Sequence, residues 1–387
     1  MNFFQKLVKY GYEFCVDNMI SKIFLFCPIR NTIFFESVPS CSDSPKAIFD
    51  ELVKRGYNQK YKMVWWLYDD EYKPEDQLPN VLYLNSKNHR MVRKYYEYSS
   101  KCLICSNRFL EKHQKKQKAF YIIHGSPLKR TEGYYPFPNK IDYYFGASEH
   151  LSEVLSKQLS APIEKEIDLG LPRNDELLSG QVDLRSIFNY DYKRIIAWYP
   201  TFRQHKTGVQ TGCKNAFPLI YDSKVAEELN EYAKSRKVLI VIKPHFAQDL
   251  SVFTPAELSN ILFINDDFLK KNKLTSYKFI NSCDALISDY SSIYYDFLLC
   301  NKPIALVWED IEQYRTNPGF SVDIDYYCKG AEKVYDILDL KKFIKQVTED
   351  EDRLKIERKE ICQLVNYSVD GKNTERVTNK IIELARL

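Results

Sequence analysis

Short apolar runs with the composition of β-strands alternate with amphipathic helical stretches along most of this chain, and that alternation constrains the fold more than any other feature. NTIFFES, KMVWWLY, VLYLN, CLICSN and AFYIIHG follow one another in the first half. KRIIAWYPTFR, KVLIVIKPHF, ILFIND, CDALISDYSS and KPIALVWED follow in the second. Strands interleaved with helices in this way form parallel α/β layers. The pattern breaks over the polar stretch LLSGQVDLRSIFNYDY and restarts at Lys193, which places a boundary near residue 185. The predicted architecture is therefore α/β, with two Rossmann-like, doubly wound domains facing each other across a cleft. They span residues 29–185 and 186–387, and the second ends in charge-rich helices from Lys333 onward. In open sheets of this kind ligands bind at the carboxyl ends of the strands, and the unusual residues of this sequence fall there.

Composition narrows the class. An apolar share of 44% and a charged share of 28% describe a globular chain. A net charge of +4 is too mild for a nucleic-acid binder but leaves room for local basic patches. One C-x-x-C, Cys102 and Cys105, lies inside an apolar run without a second pair, so reduced core thiols of a cytosolic protein are expected rather than zinc. No run reaches the ~18–20 apolar residues of a membrane span, and the N-terminus lacks the layout of a secretory signal. Residues 1–28 instead repeat apolar positions at helical spacing, from Phe3, Phe4 and Leu7 to Ile23 and Phe24. This predicts an amphipathic helix, either lying in a membrane interface or docked on the protein's own core. The acidic turns at Asp69–Asp70, Asp266–Asp267 and Asp323–Asp325 read as caps or solvated loops, and no metal site is predicted.

Four strand ends carry candidate chemistry. In YIIHGSPLKR, His124 follows an apolar run, where a neutral imidazole can take a proton from an attacking hydroxyl. Gly125 permits close backbone approach, and Lys129 with Arg130 can anchor an anion. In WYPTFR, Arg203 can grip a phosphate with its planar fork. VLIVIKPH ends in Lys243 and His245, a pair suited to a diphosphate and its leaving group. In ALISDYSSIYYD, an apolar strand runs into Asp289, Ser291 and Ser292 at the start of a helix, an arrangement suited to an anion. Asp296 lies further into that helix. For each stretch the ordinary reading is a capped turn or a solvated side chain.

Taken together and in order, HGSPLKR, GLPRNDEL, YPTFR, VIKPH and SDYSSIYYD resemble the motif series of the CDP-glycerol glycerophosphotransferase family of teichoic-acid and capsule synthesis. FFESVPSCSDSPKAIFDEL and DIEQYRTNPGFSVD add to the likeness, which spans Phe34 to the C-terminus. The resemblance implies a GT-B arrangement and an inverting, metal- and cofactor-independent transfer of glycerol phosphate from CDP-glycerol, with CMP leaving. The acceptor would be a lipid-linked saccharide or a growing poly(glycerol phosphate), and the enzyme would sit in the cytoplasm, peripheral at the inner face of the cell membrane. His124 matches the family's general base. His245, Arg203, Lys243, Asp289, Ser291, Ser292 and Asp296 fall on the donor side. Gly125, Ser126, Lys129, Arg130, Arg173 and Asp175 fall on the acceptor side. Ser126 stands where the family usually has threonine, and K-P-H replaces an arginine-containing strand end. Two other readings share the pattern: a GT-B glycosyltransferase using a nucleotide sugar, and a transferase of ribitol phosphate from CDP-ribitol. A third, a non-catalytic binder of anionic polymer, leaves the two histidines unexplained. With little beyond two domains, a single-transfer enzyme is expected over a processive polymerase.

Overall fold

The computed structural model describes residues 22–69, 77–85, 90–131, 137–189, 191–201, 204–205, 208–209, 217–244 and 258–387. Arg203, His245, Asp70 and residues 1–21 of the predicted N-terminal helix lie outside the described residues.

The predicted strands form two parallel sheets. The first contains β1 (Arg30–Glu36), β2 (Lys62–Leu67), β3 (Val81–Asn85), β4 (Ser100–Cys105), β5 (Lys118–Ile122), β6 (Tyr143–Gly146) and β7 (Glu166–Asp168), in the order β3-β2-β1-β4-β5-β6-β7. The second contains β8 (Arg194–Trp198), β11 (Val238–Ile242), β12 (Ile261–Phe263), β13 (Ala285–Ser288), β14 (Ile304–Val307) and β15 (Glu332–Val334), in the order β12-β11-β8-β13-β14-β15. Two two-residue strands, β9 (Gln204–His205) and β10 (Gly208–Val209), pair antiparallel between β8 and β11 in the chain. Both large sheets are doubly wound. Their strand order reverses between β1 and β4 in the first and between β8 and β13 in the second, which creates a crevice at each carboxyl end. The short strands β6, β7 and β15 were not foreseen, because runs of three or four residues are too short for a strand period to show.

The reason these runs pair parallel is visible in their burial. Every residue of β11, β13 and β14 is buried. Along β11, Leu239 and Val241 join one apolar cluster while Val238, Ile240 and Ile242 join another. Period-2 side chains thus fill both faces, and helices must cover both. Cys102 and Cys105 are buried free thiols on β4.

The last helix, Asn373–Ala385, departs from the predicted division at residue 185. Its Val377, Ile381 and Ala385 pack into the core of the first sheet, not the second. Conversely, Leu128 and Leu151 from the first half sit in the core of the second sheet. The chain crosses between the domains more than once, so the expected second domain, 186–387, does not keep its own final helix.

Candidate active site

The helix Asp43–Lys54 follows β1 and was read as opened by a Ser/Asp cap. Ser42 is the N-cap residue, but its hydroxyl donates to Pro39 O at 2.6 Å and caps nothing. Asp43 has φ +60°, in the left-handed region, which costs an ordinary residue ~1–2 kcal/mol. An aspartate tolerates it because its own carboxylate bonds locally, here accepting from Ser44 N at 2.7 Å. The strained backbone aims the other oxygen across the sheet. Asp43 Oδ2 accepts from Ser106 Oγ at 3.0 Å, at the end of β4, and meets His124 Nδ1 at 2.5 Å, beyond the end of β5.

This pairing fixes the histidine chemically. Asp43 has a side chain only 5% exposed. Burial alone would raise its carboxyl, but Arg173 and His124 outweigh burial and hold it below the usual carboxylate range. An ionised carboxylate only accepts, so Nδ1 of His124 carries a proton, and whenever the ring is neutral the lone pair is on Nε2. Arg173 Nη1 also lies 3.2 Å from Nδ1. Two donors cannot bond each other, so the shorter contact to Asp43 sets the tautomer. The His124 side chain is 58% exposed, with its ring available to a substrate.

Arg173 joins this pair to the second domain. It is the second residue of the 3₁₀ helix Pro172–Leu178 and is 7% exposed as a side chain. Nη1 donates to Asp43 Oδ1 at 3.2 Å and Nη2 donates to Asp296 Oδ2 at 3.0 Å. Asp296 also accepts from Asn174 Nδ2 at 3.0 Å and from Tyr277 OH at 2.5 Å. The Tyr277 phenol, raised well above its ordinary value by burial, stays a donor. Asp296, expected near the donor, is thus 1% exposed and enclosed by protein hydrogen bonds. Arg173, expected at the acceptor, is likewise enclosed.

Gly125 sits against the other predicted anion site. A methyl placed on it would stand 3.1 Å from Ser292 Cβ and closer still to Ser292 Oγ. The His124 loop therefore abuts the start of the helix Ile293–Phe297, where Ser291 and Ser292 remain partly exposed. Beyond it, Ser126 is buried, Leu128 O accepts from Ser321 N and Arg130 N donates to Gly319 O, both at 2.9 Å. Lys129 pairs through its backbone with Phe320. The HGSPLKR loop is in this way pinned across the cleft, with Arg130 exposed.

Two predicted site carboxylates carry structural bonds. Asp289 is fully buried, and its oxygens accept from Thr201 N and Thr201 Oγ1 at 2.9–3.0 Å, tying the ends of β8 and β13 together. Asp175 accepts from Asn373 N at 3.0 Å and Thr374 N at 2.8 Å, capping the last helix. Donors remote in sequence meet both carboxylates, which sequence spacing does not reveal. Lys243 pairs with Asp266 at 2.9 Å at the end of β11. Among the described residues, no group of three or more His, Cys, Asp or Glu side chains is placed to hold a metal ion.

This histidine–carboxylate pair stands at a sheet's carboxyl end, against a serine-bearing helix start, where an imidazole can take a proton from a hydroxyl. A family model described as CDP-glycerol:poly(glycerophosphate) glycerophosphotransferase matches residues 19–383. The chain belongs to that family. As a glycerophosphotransferase it is 26% identical over 351 residues, 81% of its own length and 84% of the relative's, to a teichoic acid poly(glycerol phosphate) polymerase of Bacillus spizizenii. It is 23% identical over 303 residues to a teichoic acid glycerol-phosphate primase of Bacillus subtilis, covering 71% and 73% of the two chains. Among solved structures, a variant of the wall teichoic acid polymerase TagF matches with a TM-score of 0.74 over 99% of this chain and 97% of that one. At 18% identity that match is a likeness of fold, two Rossmann-like domains in a GT-B-like arrangement.

Proposed function

We propose that this glycerophosphotransferase moves glycerol phosphate from CDP-glycerol to a hydroxyl of a lipid-linked saccharide or of a growing poly(glycerol phosphate), with His124 as the general base. The acceptor oxygen attacks the phosphorus that bears glycerol. As that O–P bond forms, the P–O bond to CMP breaks, the hydroxyl proton passes to His124 Nε2, and CMP leaves with the electron pair. Asp43 holds the ring and balances the charge it gains. Ser292, which abuts Gly125, and its neighbour Ser291 are the described groups best placed to meet the donor's phosphates. Arg203, Lys243 and His245 complete the donor side in this reading. The observation that carries it is the 2.5 Å contact between His124 Nδ1 and buried Asp43.

The membrane-facing part of the reading rests on the described end of the N-terminal segment. Ile23, Leu25 and Phe26 are exposed, at 66%, 44% and 89%, while Phe24 packs on Tyr95 and Tyr98 at 6.2 Å. The helix that carries those tyrosines also exposes Met91 and Val92. Apolar side chains held outward beside a docked anchor suit peripheral binding at the inner face of the membrane. No helix among the described residues is long and apolar enough to cross a membrane.

The test is CMP release from CDP-glycerol in EDTA, with and without a lipid-linked acceptor, for wild type and His124→Ala. Acceptor-dependent release that the substitution lowers by a factor on the order of 10²–10⁴ supports the reading. Activity with CDP-ribitol or a nucleotide sugar in place of CDP-glycerol would overturn it.

A further inference from the structure

The crevice of the first sheet holds a second group of side chains that the transfer step does not use. Beyond β4, Ser106 bonds Asp43, Asn107 takes a left-handed φ of +67° and donates to Val38 O, and Arg108 then turns outward. Arg108 is exposed, and its guanidinium lies 4.6 Å over the ring of Tyr68, which follows β2. The Tyr68 hydroxyl donates to Glu36 at the end of β1. Arg93 donates to the same carboxylate at 2.9 Å and stacks 4.4 Å over Trp66. Glu36 is 2% exposed, and burial drives its carboxyl upward. Arg93 is bonded to Glu36, whereas Arg108 acts on that carboxyl only through space and forms no ion pair or hydrogen bond among the described residues. A cation held over an aromatic ring, with no protein oxygen bonded to its fork among the described residues, can receive an anion at this carboxyl end of the sheet.

Its position says which anion. The strands β1, β4 and β5 are neighbours, and adjacent strands lie about 5 Å apart. Arg108 follows Ser106, which touches Asp43, which touches His124. In a glycerol phosphate chain the terminal hydroxyl and the nearest phosphorus are five bonds apart, roughly 6 Å at bond lengths of about 1.5 Å. We propose that Arg108 binds the phosphodiester nearest the attacking hydroxyl, so that the acceptor is read by its charge next to the general base. This deepens the transfer reading and rests on it. The site favours an acceptor that already carries glycerol phosphate over one that ends in a bare sugar.

Calorimetric binding of a short oligo(glycerol phosphate), compared with the same oligomer bearing an uncharged methylphosphonate as its last linkage, tests the proposal without turnover. Arg108→Ala should weaken binding of the phosphodiester by about tenfold or more and leave the methylphosphonate unchanged, because a charge-assisted contact is lost from one ligand only. Arg108→Lys, which keeps charge but not the fork or the stacking, should fall between. In turnover, KM for the phosphodiester acceptor should rise while KM for CDP-glycerol holds. Equal weakening of both oligomers, no weakening of either, or a rise in donor KM would each overturn the assignment. Wild-type CMP release from CDP-glycerol in the same assay reports separately on the transfer reading.

Discussion

Asp43 is the residue on which the catalytic reading turns, and its contacts set what its loss should do. Asp43→Asn keeps the size but removes the charge that holds the His124 proton on Nδ1 and balances the imidazolium. We expect kcat to fall on the order of a hundredfold with little change in KM for CDP-glycerol. Steady-state kinetics in both substrates would check this. The same carboxyl makes an acid-range prediction. Its folded value lies below its unfolded value near ~3.9, so its contribution is present above that value and is lost as the pH falls through the folded one. The stability gap between wild type and Asp43→Asn should therefore be flat above about pH 5 and shrink in stronger acid. Glu166 on β7 has the opposite sign. Burial first, then the charge of Asp168, pushes it up to about 8. Its contribution is full below its unfolded value of ~4.3 and gone once the pH passes about 8. Urea midpoints across that range should slope downward for the wild type and less so for Glu166→Gln.

At the scale of elements, the last helix shows how capping can come from outside. Its first N–H groups, at Asn373 and Thr374, donate to Asp175 of the turn Pro172–Leu178. Asp175→Ala should cost about 1–2 kcal/mol, as loss of an N-cap does, and leave acceptor KM unmoved. Denaturant unfolding and kinetics together decide between this role and the acceptor contact first expected of Asp175. The case also marks the limit of sequence reading here. Strands apolar throughout, such as VLIVI and ALIS, announced themselves because burial on both faces leaves no polar alternation to confuse with a helix. His124 and Gly125 were legible because a histidine and a glycine directly after such a strand have few ordinary uses. Asp43 was not, because S-D-S-P before a helix is an ordinary cap signal, and only its left-handed backbone turns the carboxylate to His124. Asp175 and Asp289 show the converse: they belong to motif stretches, and their oxygens accept from groups remote in sequence, the first turn of the last helix and Thr201 beyond β8. The edge strands β7 and β15 were missed because three residues are too few to carry a periodicity.

At the scale of the whole molecule, one guanidinium links the base to the donor-side domain. Arg173 bonds Asp43, which holds His124, and bonds Asp296 on the helix that begins at Ser291–Ser292. Because the same cation touches both, the position of the base relative to the second domain is set by a buried ion triad rather than by a flexible linker. Replacing Arg173 by methionine fills similar volume but leaves two buried carboxylates without their counter-charge. The expected cost is about 3–5 kcal/mol, read as a lower denaturant midpoint. If the loss comes from those orphaned charges, neutralising one of them should return part of it. Arg173→Met with Asp296→Asn should then be more stable than Arg173→Met alone, a non-additive result that lost packing would not produce. Activity should stay low in both, since neither restores the link between His124 and the second domain. Additive destabilisation in the double variant would show that Arg173 acts by packing, and that closure of the two domains on the base is secured elsewhere.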